Sequence, residues 1–295
     1  MKTTAIPSQQ APAVYRRRIG STVVTVLHDG SEEFSFDVFS PGVISQAEAE
    51  DLLRAAGLPP VARMPVHAFL VQDGRQTTLI DSGDANILGT GGYLLSALQA
   101  VGVEPSQIDT VLLTHAHPDH IGGLLSADGA AVFPHAEVVL HEKEFQFWSD
   151  AANFGPERQH LVSCRALALR VFEAYRSALR IVSAGEVLPG ISTEPLPGHT
   201  PGHCGYTIVS EGESLLIWGD IVHYPEIQIP RPETTLNFDV DAKQAEATRR
   251  QILERAANEN LLIGGMHIGF PGFLRIRREG DHYAPQIERW SPALL

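Results

Sequence analysis

Cysteine is scarce in this 295-residue chain, which contains only Cys164 and Cys204. Two thiols do not make the disulfide framework of a small secreted domain, and a structural zinc site is usually richer in cysteine. Cys204 lies in a strand-like run and Cys164 in a helical segment, so both are interpreted as small core residues. Neither thiol is needed for the metal ligands that the rest of the sequence offers.

Positive charge is also in short supply. The chain has 22 lysines and arginines against 35 aspartates and glutamates, which gives a formal net charge of −13. Such an acidic chain disfavours nucleic acid and anionic membranes as partners. No apolar run reaches the roughly 18 residues of a membrane span, and residues 1–14 lack the hydrophobic core of a signal peptide. We therefore expect a cytoplasmic protein, with a flexible N-terminal arm over residues 1–20 and a single domain over residues 21–295.

What the chain does contain is a dense cluster of ligand-type side chains, His115-Ala116-His117-Pro118-Asp119-His120. Imidazole and carboxylate groups bind zinc, iron and manganese. The preceding run, residues 109–114, is predicted to be a buried strand, and ligands bind beyond the ends of such strands in α/β sheets. A lone histidine is more often a core or surface residue, but four ligand-type groups behind one strand indicate a metal site.

Other apolar segments end in a ligand-type residue in the same way. These residues are Asp81, His199, Asp220 and His267. Two triplets can be formed from the strand-end residues, namely His115, His117 and His199, and then Asp119, His120 and His267. Asp220 is left over, and a carboxylate can bridge two cations. The sequence thus predicts two divalent transition-metal ions about 3.5–4 Å apart, with zinc favoured and iron, manganese or cobalt as alternatives.

The His-x-His-x-Asp-His motif at residues 115–120, followed in order by the later ligand-type residues, resembles the metallo-β-lactamase superfamily over residues 20–290. The resemblance implies an α/β fold, an αββα sandwich of two mixed β-sheets flanked by helices, with the metals at one rim. It assigns the first triplet to one metal, the second triplet to the other, and Asp220 to the bridge. It also implies that Asp81 orients a ligand histidine.

Segments 219–223 and 265–273 resemble the branch that contains methyl parathion hydrolase and its lactonase relatives. His223 departs from both, because many acyl-homoserine lactonases have tyrosine there and the parathion-hydrolysing enzyme has an apolar residue. The resemblance implies a homodimer and a hydrolase that opens aryl or acyl lactones by attack of a metal-bridging hydroxide, with side activity on organophosphate triesters. A dedicated phosphotriester hydrolase and a glyoxalase-II-like thioesterase are the alternatives. An iron-dependent redox enzyme and a non-catalytic metal-binding role fit the sequence less well.

Asp119 and His223 are the candidate catalytic residues, with His223 placed to donate a hydrogen bond to the ester or to shuttle a proton. We expect an apolar pocket with few polar groups around them. The candidate wall residues are Trp148, Tyr224, Phe238, Phe270 and Phe273, each of which could equally belong to the core. Aromatic walls favour a neutral, partly apolar lactone as the small-molecule partner.

Hydrophobic periodicity and capping signals predict the elements around these residues. Strands are expected at 21–28, 34–39, 66–72, 76–81, 109–114, 137–141 and again after residue 185. Helices are expected at 45–56, 91–101, 142–149, 156–181 and 241–258. The helical insert near residues 142–182 would lie beside the metal rim, where it either roofs the pocket or packs as a plain helix.

Overall fold

The computed structural model describes residues 11, 13–87, 89 and 91–294. Within these residues a first mixed sheet follows the order of the chain. Its strands are β1 (Val14–Ile19), β2 (Thr22–Phe34), β3 (Ala62–Gln72), β4 (Thr77–Ile80), β5 (Thr110–Leu112), β6 (Glu137–His141) and β7 (Leu179–Val182). The neighbours from β1 to β4 are antiparallel, whereas those from β4 to β7 are parallel.

The second sheet is built from the later part of the chain. Its strands are β8 (Gly185–Leu188), β9 (Ile191–Pro195), β10 (Cys204–Ser210), β11 (Glu213–Ile217), β12 (Leu262–Gly264), β13 (Phe273–Glu279) and β14 (His282–Ile287). The neighbours β11 and β12 are parallel, and the other neighbouring pairs are antiparallel.

Helices cover the outer faces of both sheets. They are α1 (Gln46–Ala55), α2 (Leu94–Ala100), α3 (Pro118–Ile121), α4 (Glu142–Ser149), α5 (Val162–Ala174), α6 (Pro225–Gln228) and α7 (Ala242–Glu259). The predicted caps of α1 and α7 are confirmed, because the side chains of Ser45 and Asp241 accept hydrogen bonds from Glu48 N and Gln244 N. No helix in the described part of the chain combines the length and the apolar character needed to cross a bilayer.

Strand alternation explains the layers, since successive side chains point to opposite faces of a sheet. In β11, Leu215 and Ile217 belong to the core between the sheets, while Leu216 belongs to the core under α7. In β3, Phe69 faces the other sheet and Leu70 faces the helices on the first sheet. The result is the predicted αββα sandwich of two mixed sheets.

The structure corrects three boundaries. Residues 14–19 of the predicted flexible arm form β1, which pairs with β2, while residues 1–10 and 12 lie outside the described residues. The predicted strand at 34–39 is absent: β2 runs without a break to Phe34, and a 3₁₀ turn follows at Phe36–Val38.

The predicted 156–181 helix is also divided. A 3₁₀ segment covers Pro156–Leu161, α5 covers the middle, and the last part forms β7. Arg158 breaks the first part with non-helical backbone angles, and β7 gains backbone hydrogen bonds by pairing with β6. The helical insert thus ends with α5, before residues 179–182.

Candidate metal centre

Ligand-type side chains from both sheets converge at one rim of the sandwich. The first sheet supplies residues 115–120, which follow β5 and continue into α3. The second sheet supplies His199 after β9, Asp220 after β11 and His267 after β12. Each of the predicted ligands is at most 9% exposed. The structure therefore brings together the residues that the sequence proposed as metal ligands.

The first group consists of the imidazoles of His115, His117 and His199. His117 Nδ1 lies 2.9 Å from His115 Nε2 and 2.8 Å from His199 Nε2. Burial holds the pKa values of His115 and His117 well below their usual range, so these rings are neutral. Neutral nitrogens whose lone pairs point to one place suit a divalent cation.

The second group consists of Asp119, His120, Asp220 and His267. Asp119 Oδ2 lies 3.3 Å from His120 Nε2 and 3.6 Å from His267 Nε2. Asp220 Oδ2 lies 3.1 Å and 3.0 Å from the same two nitrogens. Carboxylate and imidazole atoms thus surround a second point.

Asp220 faces both groups at once. Its Oδ2 is also 3.7 Å from His115 Nε2 and 3.5 Å from His199 Nε2. Its Oδ1 is buried and has no hydrogen-bond partner among the described residues. Buried carboxylate oxygens rarely stay unpaired, and coordination of a cation would account for this one. The imidazole and carboxylate clusters therefore fit a divalent metal site.

Asp81, which follows β4, orients ligands from the first sheet. Its carboxylate accepts hydrogen bonds from His120 Nδ1 at 2.7 Å, from Thr114 N at 2.8 Å and from Thr114 Oγ1 at 2.7 Å. Because the Thr114 hydroxyl donates to Asp81, its oxygen accepts the hydrogen bond from His115 Nδ1 at 3.0 Å. Both histidines therefore direct an Nε2 lone pair into the cluster, and Asp81 makes the orienting contact predicted for it.

The histidines from the second sheet are oriented by different acceptors. His199 Nδ1 donates to Asp239 Oδ1 at 3.0 Å, and His267 Nδ1 donates to the carbonyl of Pro65 at 2.7 Å. Sequence reasoning missed Asp239, which lies in a loop before α7 and belongs to no motif. An acidic residue two positions before a helix cap was the only sequence signal for it.

His203 fixes the backbone at Asp220. Its Nδ1 donates to the Leu196 carbonyl at 2.6 Å, and its Nε2 accepts from Asp220 N at 2.8 Å. Gly219 has φ +59°, and a Cβ there would lie 2.4 Å from His203 Nε2. The glycine before Asp220 is therefore required by the close approach of this ring.

Glu144 in α4 joins loops from the two sheets. Its buried carboxylate accepts hydrogen bonds from Ala116 N at 3.0 Å, Thr200 Oγ1 at 2.6 Å, Gly202 N at 3.1 Å and Trp148 Nε1 at 2.6 Å. Trp148 is fully buried behind His117, with ring centroids 5.5 Å apart. The prediction that Trp148 forms a pocket wall is wrong, because the ring supports the metal loop from behind.

A cavity of about 230 Å³ opens onto the cluster of candidate metal ligands. Its floor includes His117, Asp119, His199 and Asp220. The walls and mouth are formed by Glu32, Phe34, Met64, Pro118, His160, Leu161, Cys164, His223 and Phe238. The walls are largely apolar, and within the described residues no lysine or arginine lines the cavity.

Phe238 is the predicted aromatic wall residue that does line this cavity, where it packs on Phe34 with ring centroids 5.3 Å apart. Phe273 is a core residue between the sheets, packed on Phe69 at 5.8 Å. Phe270 is 39% exposed and packs edge-on against Tyr15 at 6.3 Å. These two pocket predictions are wrong, because residues that follow His267 closely in sequence turn away from it.

Tyr224 lies outside this cavity too. It borders a separate cavity that also touches His223 and His267, and it packs on Phe39 at 5.2 Å. His223, by contrast, lies in the wall of the main cavity. Its Nε2 is 3.2 Å from Asp220 Oδ2, and neither ring nitrogen has a partner in hydrogen-bonding geometry among the described residues. The His223 ring stacks on His267 with centroids 5.2 Å apart.

Sequence reasoning missed the wall formed by the first sheet. Glu32 and Phe34 alternate on one face of β2, and Glu32 pairs in register with Met64 of β3. Burial, with a further contribution from the Asp119 carboxylate, raises the pKa of Glu32 to about 8. The sequence signal for this wall was an acidic residue, Glu32, in an otherwise strand-like segment. The sequence did not show which face of that strand lies toward the candidate metal ligands.

The comparisons with known proteins agree with this geometry. The model of the metallo-beta-lactamase superfamily matches residues 61–267. The chain is 30% identical to a structure described as hydrolase AbOPH in the beta-lactamase superfamily, covering 96% of this chain and 100% of that chain with a TM-score of 0.89. It is 25% identical to AidC, described as a dizinc quorum-quenching lactonase in complex with a product N-hexnoyl-L-homoserine, with the same coverage and a TM-score of 0.88.

Among curated proteins, the chain is 37% identical over 158 residues to a hydroxyacylglutathione hydrolase of Albidiferax ferrireducens, which covers 52% of this chain and 46% of that protein. The chain spans roughly half to three fifths of the length of the curated relatives it matches first. The prediction of a metal-dependent hydrolase is confirmed at the level of the enzyme class, and the chain belongs to the metallo-β-lactamase superfamily.

Proposed function

We propose that this chain is a binuclear metal-dependent hydrolase that opens the rings of neutral, partly apolar lactones. The observation that carries the proposal is the largely apolar cavity whose floor is the metal cluster itself. Such a cavity holds an apolar ester with its carbonyl against the ligands. The similarity to AidC, a dizinc lactonase by its description, supports the same substrate class.

In this proposal His115, His117 and His199 hold one ion, Asp119, His120 and His267 hold the other, and Asp220 lies between them. Two bound divalent cations would supply polarisation of the ester carbonyl and activation of water at neutral pH. The cavity walls exclude bulk water and orient the ring. Glu144, Asp81 and Asp239 keep the ligand loops in place through the hydrogen bonds described above.

His223 is the residue proposed to contact substrate directly. Its ring lies in the cavity wall with Nε2 3.2 Å from Asp220 Oδ2, and neither ring nitrogen has a partner in hydrogen-bonding geometry among the described residues. From this place it would donate a hydrogen bond from a ring nitrogen to the ester oxygen, or return a proton to the alkoxide oxygen as the ring opens. Asp119, the second candidate catalytic residue, lines the same floor.

The charge around the cavity supports a neutral substrate. The described lining offers no lysine or arginine to a carboxylate or a phosphate. A glutathione thioester would bring two carboxylates to this wall without a counter-charge. The 37% identity to a hydroxyacylglutathione hydrolase nevertheless keeps thioester hydrolysis as the second candidate, and the substrate panel below includes such a thioester.

Zinc is the metal we propose, because imidazole and carboxylate donors bind it and AidC is described as a dizinc lactonase. Iron, manganese and cobalt suit the same donors and are the alternatives. The homodimer and the cytoplasmic location stay predictions.

The test compares substrates on one metal-loaded preparation. We expect kcat/KM for an aryl lactone to exceed that for a methyl paraoxon-like triester by at least ~100-fold, a difference of about 2.7 kcal/mol in transition-state binding. His223→Leu should narrow this gap, because it replaces a polar cavity group by an apolar one. His282→Leu, at an exposed histidine on β14, is the matched control and should change nothing.

A triester or glutathione thioester turned over faster than every lactone would replace the lactonase assignment by the corresponding alternative. Equal effects of His223→Leu and His282→Leu would remove His223 from the substrate contacts while leaving the assignment in place.

A further inference from the structure

Glu32 is an ionisable wall residue of the cavity that comes from a strand, β2, and not from the loops that carry the candidate ligands. It is 6% exposed and stands beside Met64 of β3 and two positions before Phe34. All three side chains line the cavity. A carboxyl group is therefore set between two apolar wall residues.

The carboxyl of Glu32 differs from the other buried carboxyls near this rim that are not candidate metal ligands. Asp81 accepts three hydrogen bonds and Glu144 accepts four. Asp29, in the same strand as Glu32, accepts from the backbone N–H groups of three residues of the adjoining loop. Glu32 Oε1 is buried and has no partner in the described chain.

An unpaired buried acceptor is costly, since it gives up hydration without gaining a protein partner. An apolar residue of the same size would suit this wall better in terms of stability alone. Unpaired polar groups that face a binding cavity are paired by ligands that carry the complementary group. For Glu32 that complementary group is an N–H or O–H donor.

We infer that Glu32 determines specificity by accepting a hydrogen bond from a donor that the lactone carries beside its ring, such as an amide N–H. This inference rests on the proposed lactonase function and adds a preference among lactone substrates to it. The apolar side chains of Phe34 and Met64 pack against the chain attached to that donor, while the carboxyl of Glu32 accepts the hydrogen bond from the donor itself. A site with a buried acceptor discriminates strongly against an analogue that lacks the donor, because the acceptor is then left unpaired.

The test uses two lactones of equal length, one with an acylamino substituent and one in which a methylene group replaces the N–H. The metal-loaded native protein is expected to prefer the N–H compound in kcat/KM by at least ~10-fold. Glu32→Leu should abolish this preference by slowing the N–H compound while leaving the methylene compound equal or faster. Glu32→Gln, which keeps a carbonyl acceptor, should retain part of the preference.

Two further measurements separate this role from a structural one. Glu32→Leu should keep the native metal content and should unfold at a higher temperature, because an unpaired buried carboxyl has been removed. Glu33→Leu is the matched control: the neighbouring glutamate is exposed and pairs with Arg63 outside the cavity, so the substrate preference should stay native.

The inference fails if Glu32→Leu keeps the native preference, if it loses metal, or if it slows both lactones equally. In each of these results lactone turnover by the native protein persists, so the proposed function stands. If the native protein opens neither lactone, the proposed function itself fails and the role of Glu32 falls with it.

Discussion

The two sheets contribute to the same metal cluster in different ways. The first sheet delivers its ligands in one continuous segment, residues 115–120, which a single strand end and the short helix α3 hold in place. The second sheet delivers His199, Asp220 and His267 from the ends of three separate strands. One half of the centre is thus fixed by local backbone geometry, and the other half depends on strand register across a sheet.

Asp220 is where the two contributions meet. It follows β11 of the second sheet, yet its Oδ2 lies within 3.7 Å of histidines from both sheets. A continuous motif therefore identifies the family, whereas the distance between the two candidate ligand groups is set by residues dispersed along the chain. Substitutions that separate the two contributions test this difference.

The largest effect is expected from Asp220→Asn, which keeps the size of the side chain and removes one negative charge between the two groups. We predict loss of one of two bound metals and a fall in turnover of at least ~100-fold. Elemental analysis and initial rates on an aryl lactone measure both. The control is Asp241→Asn at the cap of α7, which should keep both metals.

Native protein that reproducibly binds one metal with full activity would contradict the bridging role of Asp220. So would Asp220→Asn protein with two metals and unchanged turnover.

An intermediate effect is expected when the orienting carboxylates are neutralised one at a time. Asp81→Asn weakens the hold on His120, and Asp239→Asn weakens the hold on His199. We predict that Asp239→Asn lowers the affinity for the ion assigned to His199 by about 10–100-fold, whereas Asp81→Asn, which also loosens Thr114 beside His115, lowers the affinity most for the ion assigned to His120. Competition with a chromophoric chelator measures the two affinities separately. If Asp239→Asn weakened the ion assigned to His120 and spared the ion assigned to His199, the division of ligands into two groups would be wrong.

The sequence located the candidate ligands because each follows an apolar strand after a short stretch of chain, and strand ends can be located from hydrophobic patterning. It predicted Asp81 for the same reason. It could not predict Asp239, which reaches His199 from a loop, or Glu144, which reaches the motif from α4. These contacts depend on how elements distant in sequence pack together.

The cavity was the least predictable part. Phe270 and Phe273 are close to His267 in sequence, but one points outward and the other into the core. Glu32 and Phe34 are remote in sequence and form the wall. The boundaries of β1 and β7 escaped prediction because tertiary pairing with β2 and β6 decides that these short segments are strands.

The smallest effect is expected from Trp148→Phe. This variant tests whether Trp148 supports the His117 loop from behind or lines the substrate cavity. The variant removes one of the four hydrogen bonds to Glu144 and keeps the aromatic ring behind His117. We predict a stability loss of about 1 kcal/mol, roughly 2–4 °C in Tm, with KM for lactones unchanged. Thermal unfolding and steady-state kinetics measure these values. A tenfold rise in KM would indicate that Trp148 lines the substrate cavity after all.

Because the candidate ligands come from both sheets, the supply of metal would affect how long the folded protein survives. An ion held by residues from both halves of the sandwich binds the folded chain and not the unfolded one, so its binding free energy adds to the folding free energy. At a free metal concentration of 100 times Kd, each ion would add about 2.7 kcal/mol. Molecules made under metal starvation would unfold more often than metal-bound molecules. Cellular proteases would therefore degrade the metal-free molecules first.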